Sequence, residues 1–141
     1  MEVNVEKIMI LLQRRYTAIQ ELDRLTRELE EIIARNDGIS AVMLLQLRGD
    51  EMEKADRCME EIWQMSEDSI EAYEKIKSLV LSDLEKAVGG SKEEERIFDI
   101  RRKTQVVIER LRRTDQRLSQ RLAGEKSFYK TTSLVKQLQA I

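Results

Sequence analysis

The sequence contains no histidine and no proline, one cysteine, and only 4 % aromatic residues. Without histidine there is no Ser-His or Cys-His dyad, no Glu-x-x-His pair of the kind that holds di-iron in helical bundles, and no commonest general base. Without proline nothing removes a backbone donor from a helix interior, so helices are free to run long. A single cysteine, Cys58, allows no intrachain disulfide, which points to a reducing, cytoplasmic setting. The longest stretch without a charge, 38–47, has 10 residues, about half of the ~20 needed to span a bilayer. The amino terminus, Met1 to Glu6, lacks the basic region of a secretory signal, and the apolar run from Ile8 to Leu12 is too short to complete one.

What is present is a chain of 141 residues, 41 % apolar and 37 % charged, the balance of amphipathic helices rather than of aromatic-rich sheets. The length suits one domain, 1–141, with residues 125–141 as a partner-binding tail. Net charge is −2, but residues 1–91 sum to −8 and residues 92–141 to +6. The two parts should attract each other.

Ile8, Leu12, Tyr16, Ile19, Leu22, Leu25, Leu29 and Ile32 recur three and four apart, which predicts a first helix from about Asn4 to Asn36, stopped by Asn36-Asp37-Gly38. Ser40 is expected to cap a short apolar helix, Ala41 to Leu47, whose Val42, Met43, Leu44, Leu45 and Leu47 leave little polar face and call for a cover. Gly49-Asp50 is expected to separate that piece from the next helix, although a glycine costs only ~1 kcal/mol within a helix. From Met52 a heptad (Met52, Ala55, Met59, Ile62, Ser66, Ser69, Tyr73, Ile76, Val80) predicts a second long helix reaching about Val88. Ser91-Lys92-Glu93-Glu94 reads as a capping box opening a third long helix that carries Ile97, Ile100, Thr104, Val107, Ile108, Leu111, Thr114, Leu118 and Leu122. Short linkers imply antiparallel neighbours. The expected fold is all-α: an elongated antiparallel bundle of three long helices with a short apolar helix and a carboxy-terminal amphipathic segment.

No spacing suggests a catalytic residue, a metal site or a cofactor, and enzyme activity is not expected. Glu53, Glu60, Glu67 and Glu74 fall seven apart, but a row on one helix makes a poor cage for calcium, which takes about 6 to 8 converging oxygens. Solvated face or interhelical pairing is the better reading. Cys58, among Met59, Ile62 and Met65, reads as a small structural hydrophobe. Lys103, Arg110 and Arg117 form a basic row, beside Arg101, Arg102, Arg112 and Arg113, that could meet phosphates. Lacking interleaved aromatics and carried by a chain of slightly negative net charge, it is better read as an interhelical row facing the acidic one.

Exposed apolar material is the stronger lead. The methionines are core by default, but Phe128, Leu134, Val135, Leu138 and Ile141 lie beyond the last strong helix and are the candidate partner-binding residues. The layout as a whole resembles the bacterial flagellar export chaperones of the FlgN type: a long first helix, an apolar stretch closing on a Gly-Asp step as Leu44, Leu47, Gly49 and Asp50 do here, and a second long helix opening with a spaced apolar residue such as Met52. The resemblance covers most of the chain. It implies a cytoplasmic protein that holds a helical segment of an export substrate near its own carboxy terminus, where the matching positions are those same five tail residues. The strongly basic third helix departs from that pattern. The alternatives are a self-associating coiled coil, a possible homodimer through the heptads of Met52 to Val80, and nucleic-acid binding through the basic helix.

Overall fold

The computed structural model describes residues 2–123, and every regular element among them is helical. They are α1 (Val5–Ala34), α2 (Gly38–Met65), a 3-10 turn (Ser66–Asp68), α3 (Ile70–Val80) and α4 (Lys92–Ala123). The all-α class is as expected. None of these helices is long and apolar enough to cross a membrane.

The helix ends follow side-chain chemistry closely. Asn4 opens α1, its Oδ1 accepting from the Lys7 amide at 3.0 Å. At the other end Asn36 takes the left-handed conformation, φ 57°, so that its amide reaches the Ile33 carbonyl and the Asp37 amide reaches that of Ile32. This closure satisfies the Ile33 carbonyl and adds a second donor to that of Ile32, which also accepts from the Arg35 amide. Asp37 then caps α2: its carboxylate accepts the Ser40 amide at 3.1 Å and the Ser40 hydroxyl at 2.7 Å. Ser40 is therefore not the cap, as expected from the sequence, but the group that is capped. These bonds to the ionised form hold the Asp37 carboxyl below its ordinary range.

Two further boundaries differ from expectation. α2 runs unbroken through Gly49, so there is no separate apolar helix over Ala41 to Leu47. Leu44 and Arg48, just before that glycine, are both buried, and packing on this scale outweighs the ~1 kcal/mol propensity cost. Conversely, the helix expected to continue to Val88 stops at Met65, restarts at Ile70 and ends at Val80, eight residues short of expectation, where the Leu81 amide closes on the Lys77 carbonyl. Ser66 donates to the Trp63 carbonyl at 2.5 Å, while Ser69 is extended (φ −167°, ψ 167°) and caps α3 by accepting from the Ala72 amide. Serines on two successive seam positions offer no apolar burial and compete for the backbone, so the helix yields there. The acidic row is broken with it: Glu53 and Glu60 lie on α2, Glu67 in the turn and Glu74 on α3.

The serine half of the predicted capping box forms, with Ser91 Oγ accepting from the Glu94 amide at 3.2 Å, but the Glu94 side chain meets the Ser91 hydroxyl rather than the Ser91 amide. The Glu94 carboxylate takes the Ser91 hydroxyl and the Lys75 ammonium, the latter at 2.9 Å. Just upstream, a Cβ on Gly89 would sit 2.7 Å from the Glu95 amide nitrogen. Only glycine fits so close an approach.

The described chain divides into two compact units, residues 2–18 with 54–106 and residues 19–53 with 107–123. The first buries Ile8, Leu11 and Leu12 of α1, Ile62 of α2, Ile76, Leu79 and Val80 of α3, and Ile97 and Phe98 of α4. In the second, Leu25 and Leu29 of α1 pack with Leu44 of α2 and with Leu118 and Leu122 of α4.

Candidate functional site

Two of the three members of the basic row of α4 are paired within the protein. In the second unit Arg110 binds the Asp23 carboxylate through Nε (3.2 Å) and Nη2 (3.0 Å). Arg117 reaches Glu30 at 3.4 to 3.5 Å. Both pairs join residues seven apart on α1 to residues seven apart on α4, so these two segments run in the same direction in matched register. The interhelical reading holds for Arg110 and Arg117, but their partners are acids of α1 rather than the glutamates of α2. Lys103, the third member of the row, is exposed in the first unit. Its neighbours have other work: Arg101 donates to the Leu79 and Ser82 carbonyls at 2.9 and 2.7 Å, and Arg102 to that of Leu84 at 3.2 Å. Two of the cations that looked available to phosphates therefore close the end of α3 and its following loop.

A polar cluster unforeseen from the sequence lies at the centre of the second unit. Arg48 is wholly buried, 0 % exposed, and its Nη2 faces Asp115 at 3.4 to 3.5 Å. These contacts are long, and Arg48 Nε and Nη1 and Asp23 Oδ1 are buried with no hydrogen-bond partner among the described residues. Burial pushes the Asp115 carboxyl up to about 6, against the opposing pull of Arg48. The Arg48 guanidinium is shifted down, again chiefly by burial. Desolvation thus outweighs the attraction of the pair, as is usual for buried ions without full hydrogen bonding. The signal that could have located Arg48 was its place four residues after Leu44, on the same helix face.

The first unit holds the thiol. Cys58 is half-buried against the apolar core, and burial, with Glu61, pushes its thiol up. Such a shift disfavours the reactive thiolate. Among the described residues no group of three potential ligands could hold a metal ion.

What the structure leaves uncovered is apolar. On α2, Ile39, Met43 and Leu47 are spaced four apart, with Val42 beside them, and are 80, 61, 49 and 52 % exposed respectively. Leu44 of the same segment is buried, and Ala41 and Leu45 pack on the same cluster. The apolar segment thus has one face in the core and a second face open. The tail residues Phe128, Leu134, Val135, Leu138 and Ile141 lie outside the described residues. No protein-family model, no curated protein and no solved structure matches the chain.

Proposed function

We propose that this protein is a helical chaperone or adaptor that binds a helical segment of a partner protein. The observation that carries the reading is the open apolar stripe of Ile39, Val42, Met43 and Leu47 on α2. Contiguous apolar residues at helical spacing are the surface that an amphipathic helix covers when it lies in a groove. The FlgN-type resemblance supports a cytoplasmic export chaperone in particular. In that reading Phe128, Leu134, Val135, Leu138 and Ile141 contribute to the same binding function, and no chemistry is performed on the partner.

The alternatives have less support. Self-association through the heptads of Met52 to Val80 loses its continuous seam at Ser66–Ser69. Nucleic-acid binding loses Arg110 and Arg117 to Asp23 and Glu30. The test compares the full chain with Met43→Asp/Leu47→Asp, both immobilised and exposed to lysate of the source cells. Proteins held by the first and released by the second are then bound as isolated helical peptides by calorimetry. Each leucine-sized contact is worth about 1.5 to 3 kcal/mol, so the variant should bind at least a hundredfold more weakly. Equal retention by both chains would sink the reading.

A further inference from the structure

The first unit carries a second surface of different character, and its chemistry specifies what fits. A cleft of about 460 Å³ runs along α2 into the turn that follows, lined by Asp56, Met59, Glu60, Trp63, Gln64 and Glu67. Its apolar floor is Met59 and the half-buried Trp63, whose ring is braced by Tyr73 of α3 with centroids 6.4 Å apart. Its rim is acidic. Arg15 lends charge to Asp56, but Glu60 and Glu67 form no ion pair among the described residues.

An apolar floor with an aromatic anchor inside a rim of one charge is the anatomy of a recognition surface, where the floor supplies affinity and the rim selects the partner. From Asp56 to Glu67 the lining spans three helical turns, roughly 16 Å. That length suits a peptide segment rather than a small cation. Among the described residues no group of three potential ligands could hold a metal ion, which argues against a divalent metal. A cationic side chain laid over Trp63 would gain from the ring face as well as from the flanking carboxylates. We propose that this cleft binds a basic amphipathic helical segment of another protein, with an apolar side chain against Met59 and Trp63 and lysines or arginines paired with Glu60 and Glu67. The proposal concerns residues other than the α2 stripe and does not rest on the function proposed for that stripe.

Trp63 is the only tryptophan in the chain, so its emission reports on the cleft directly. The probe is an acetylated, amidated 14-residue peptide with leucine and lysine at three-four spacing, and the control replaces each lysine with glutamate. Titrated into the full-length protein, the lysine peptide should shift Trp63 emission to shorter wavelength in a saturable, salt-weakened manner. The glutamate peptide should give no shift. In Glu60→Gln/Glu67→Gln, with far-UV circular dichroism matching wild type, affinity for the lysine peptide should fall about tenfold, the scale of losing two rim charge pairs. Met43→Asp/Leu47→Asp should leave this binding unchanged, which separates failure here from failure of the stripe. The proposal is overturned if neither emission nor calorimetry detects the lysine peptide, if the double glutamine variant binds as tightly as wild type, or if the glutamate peptide binds equally well. It is also overturned if sedimentation shows that the emission change tracks self-association of the protein.

Discussion

The core of residues 2–18 and 54–106 is aliphatic and aromatic, with Ile8, Ile62, Ile76 and Ile97 at 0 % exposure and no charged group among its buried side chains. In residues 19–53 and 107–123 a shorter row of leucines shares the interior with Asp23, Arg48 and Asp115. Buried threonines divide differently: Thr26, Thr104 and Thr114 each return their hydroxyl to the carbonyl four residues back on the same helix, so none needs a neighbour. The charged groups do need one. An apolar core selects its neighbours by shape and volume alone, whereas a buried guanidinium also requires an acceptor at a fixed place. The difference suggests that specificity of helix pairing is set in the second unit and cohesion in the first.

The sharpest way to break this comparison is to unpair the buried charge. Replacing Asp115 with Ala removes the acceptor that Arg48 Nη2 faces in the core and should destabilise the protein by about 1 to 3 kcal/mol in urea unfolding, through the unsatisfied donor rather than the lost charge, which burial already disfavours. Arg48→Met/Asp115→Leu removes both charges and should be near neutral or stabilising. If the double variant were as damaged as the single one, the pair would be supplying cohesion after all. The matching change in the first unit, Ile62→Ala, should cost about 2 to 5 kcal/mol through the cavity it leaves, with no rescuing partner substitution.

Acid sharpens the contrast. The Asp115 value of about 6 lies above the ~3.9 of an unfolded aspartate, so the folded protein holds this proton more tightly. This contribution to stability therefore grows as pH falls through about 6 and is complete below about 4; it is lost as pH rises. Relative to Asp115→Asn, wild type should gain on the order of 1 kcal/mol between pH 7 and pH 5. A flat difference across that range would show that the carboxyl is not held neutral by burial.

Much of this architecture was legible beforehand, and the failures have a common cause. The three-four stripes of α1 and α4 correspond to buried faces, and Asn36 and Ser91 act where their chemistry predicts. At Gly49 and at Ser66 to Ser69 the local pattern misleads because propensity and packing compete there. A glycine beside buried Leu44 and Arg48 is carried by tertiary contacts, while two serines in an apolar seam have none to gain. The Arg48–Asp115 pair spans 67 positions, and no local pattern announces a contact of that range. Of the candidate site residues, Arg110 and Arg117 could be placed against partners because their acids share the seven-residue spacing; the tail residues have no such marker.

The smallest expected effects come from the two turns, one in each unit. Ser69→Ala removes the hydroxyl that accepts from the Ala72 amide and should cost about 1 kcal/mol, the usual worth of a helix cap. In the second unit, Asn36 already occupies the left-handed region at φ 57°, where glycine carries no Cβ penalty. Asn36→Gly keeps both closing amide bonds and relieves that strain, but it also gives the unfolded chain more freedom to lose. The two effects oppose each other, so stability should change by only a few tenths of a kcal/mol. Asn36→Ala has no such compensation and should destabilise by about 1 kcal/mol, because an alanine Cβ crowds the following carbonyl and lacks the short polar side chain that makes asparagine tolerable there. Thermal unfolding of the two variants side by side separates the cases. If alanine proved as benign as glycine, the left-handed turn would not be what ends α1.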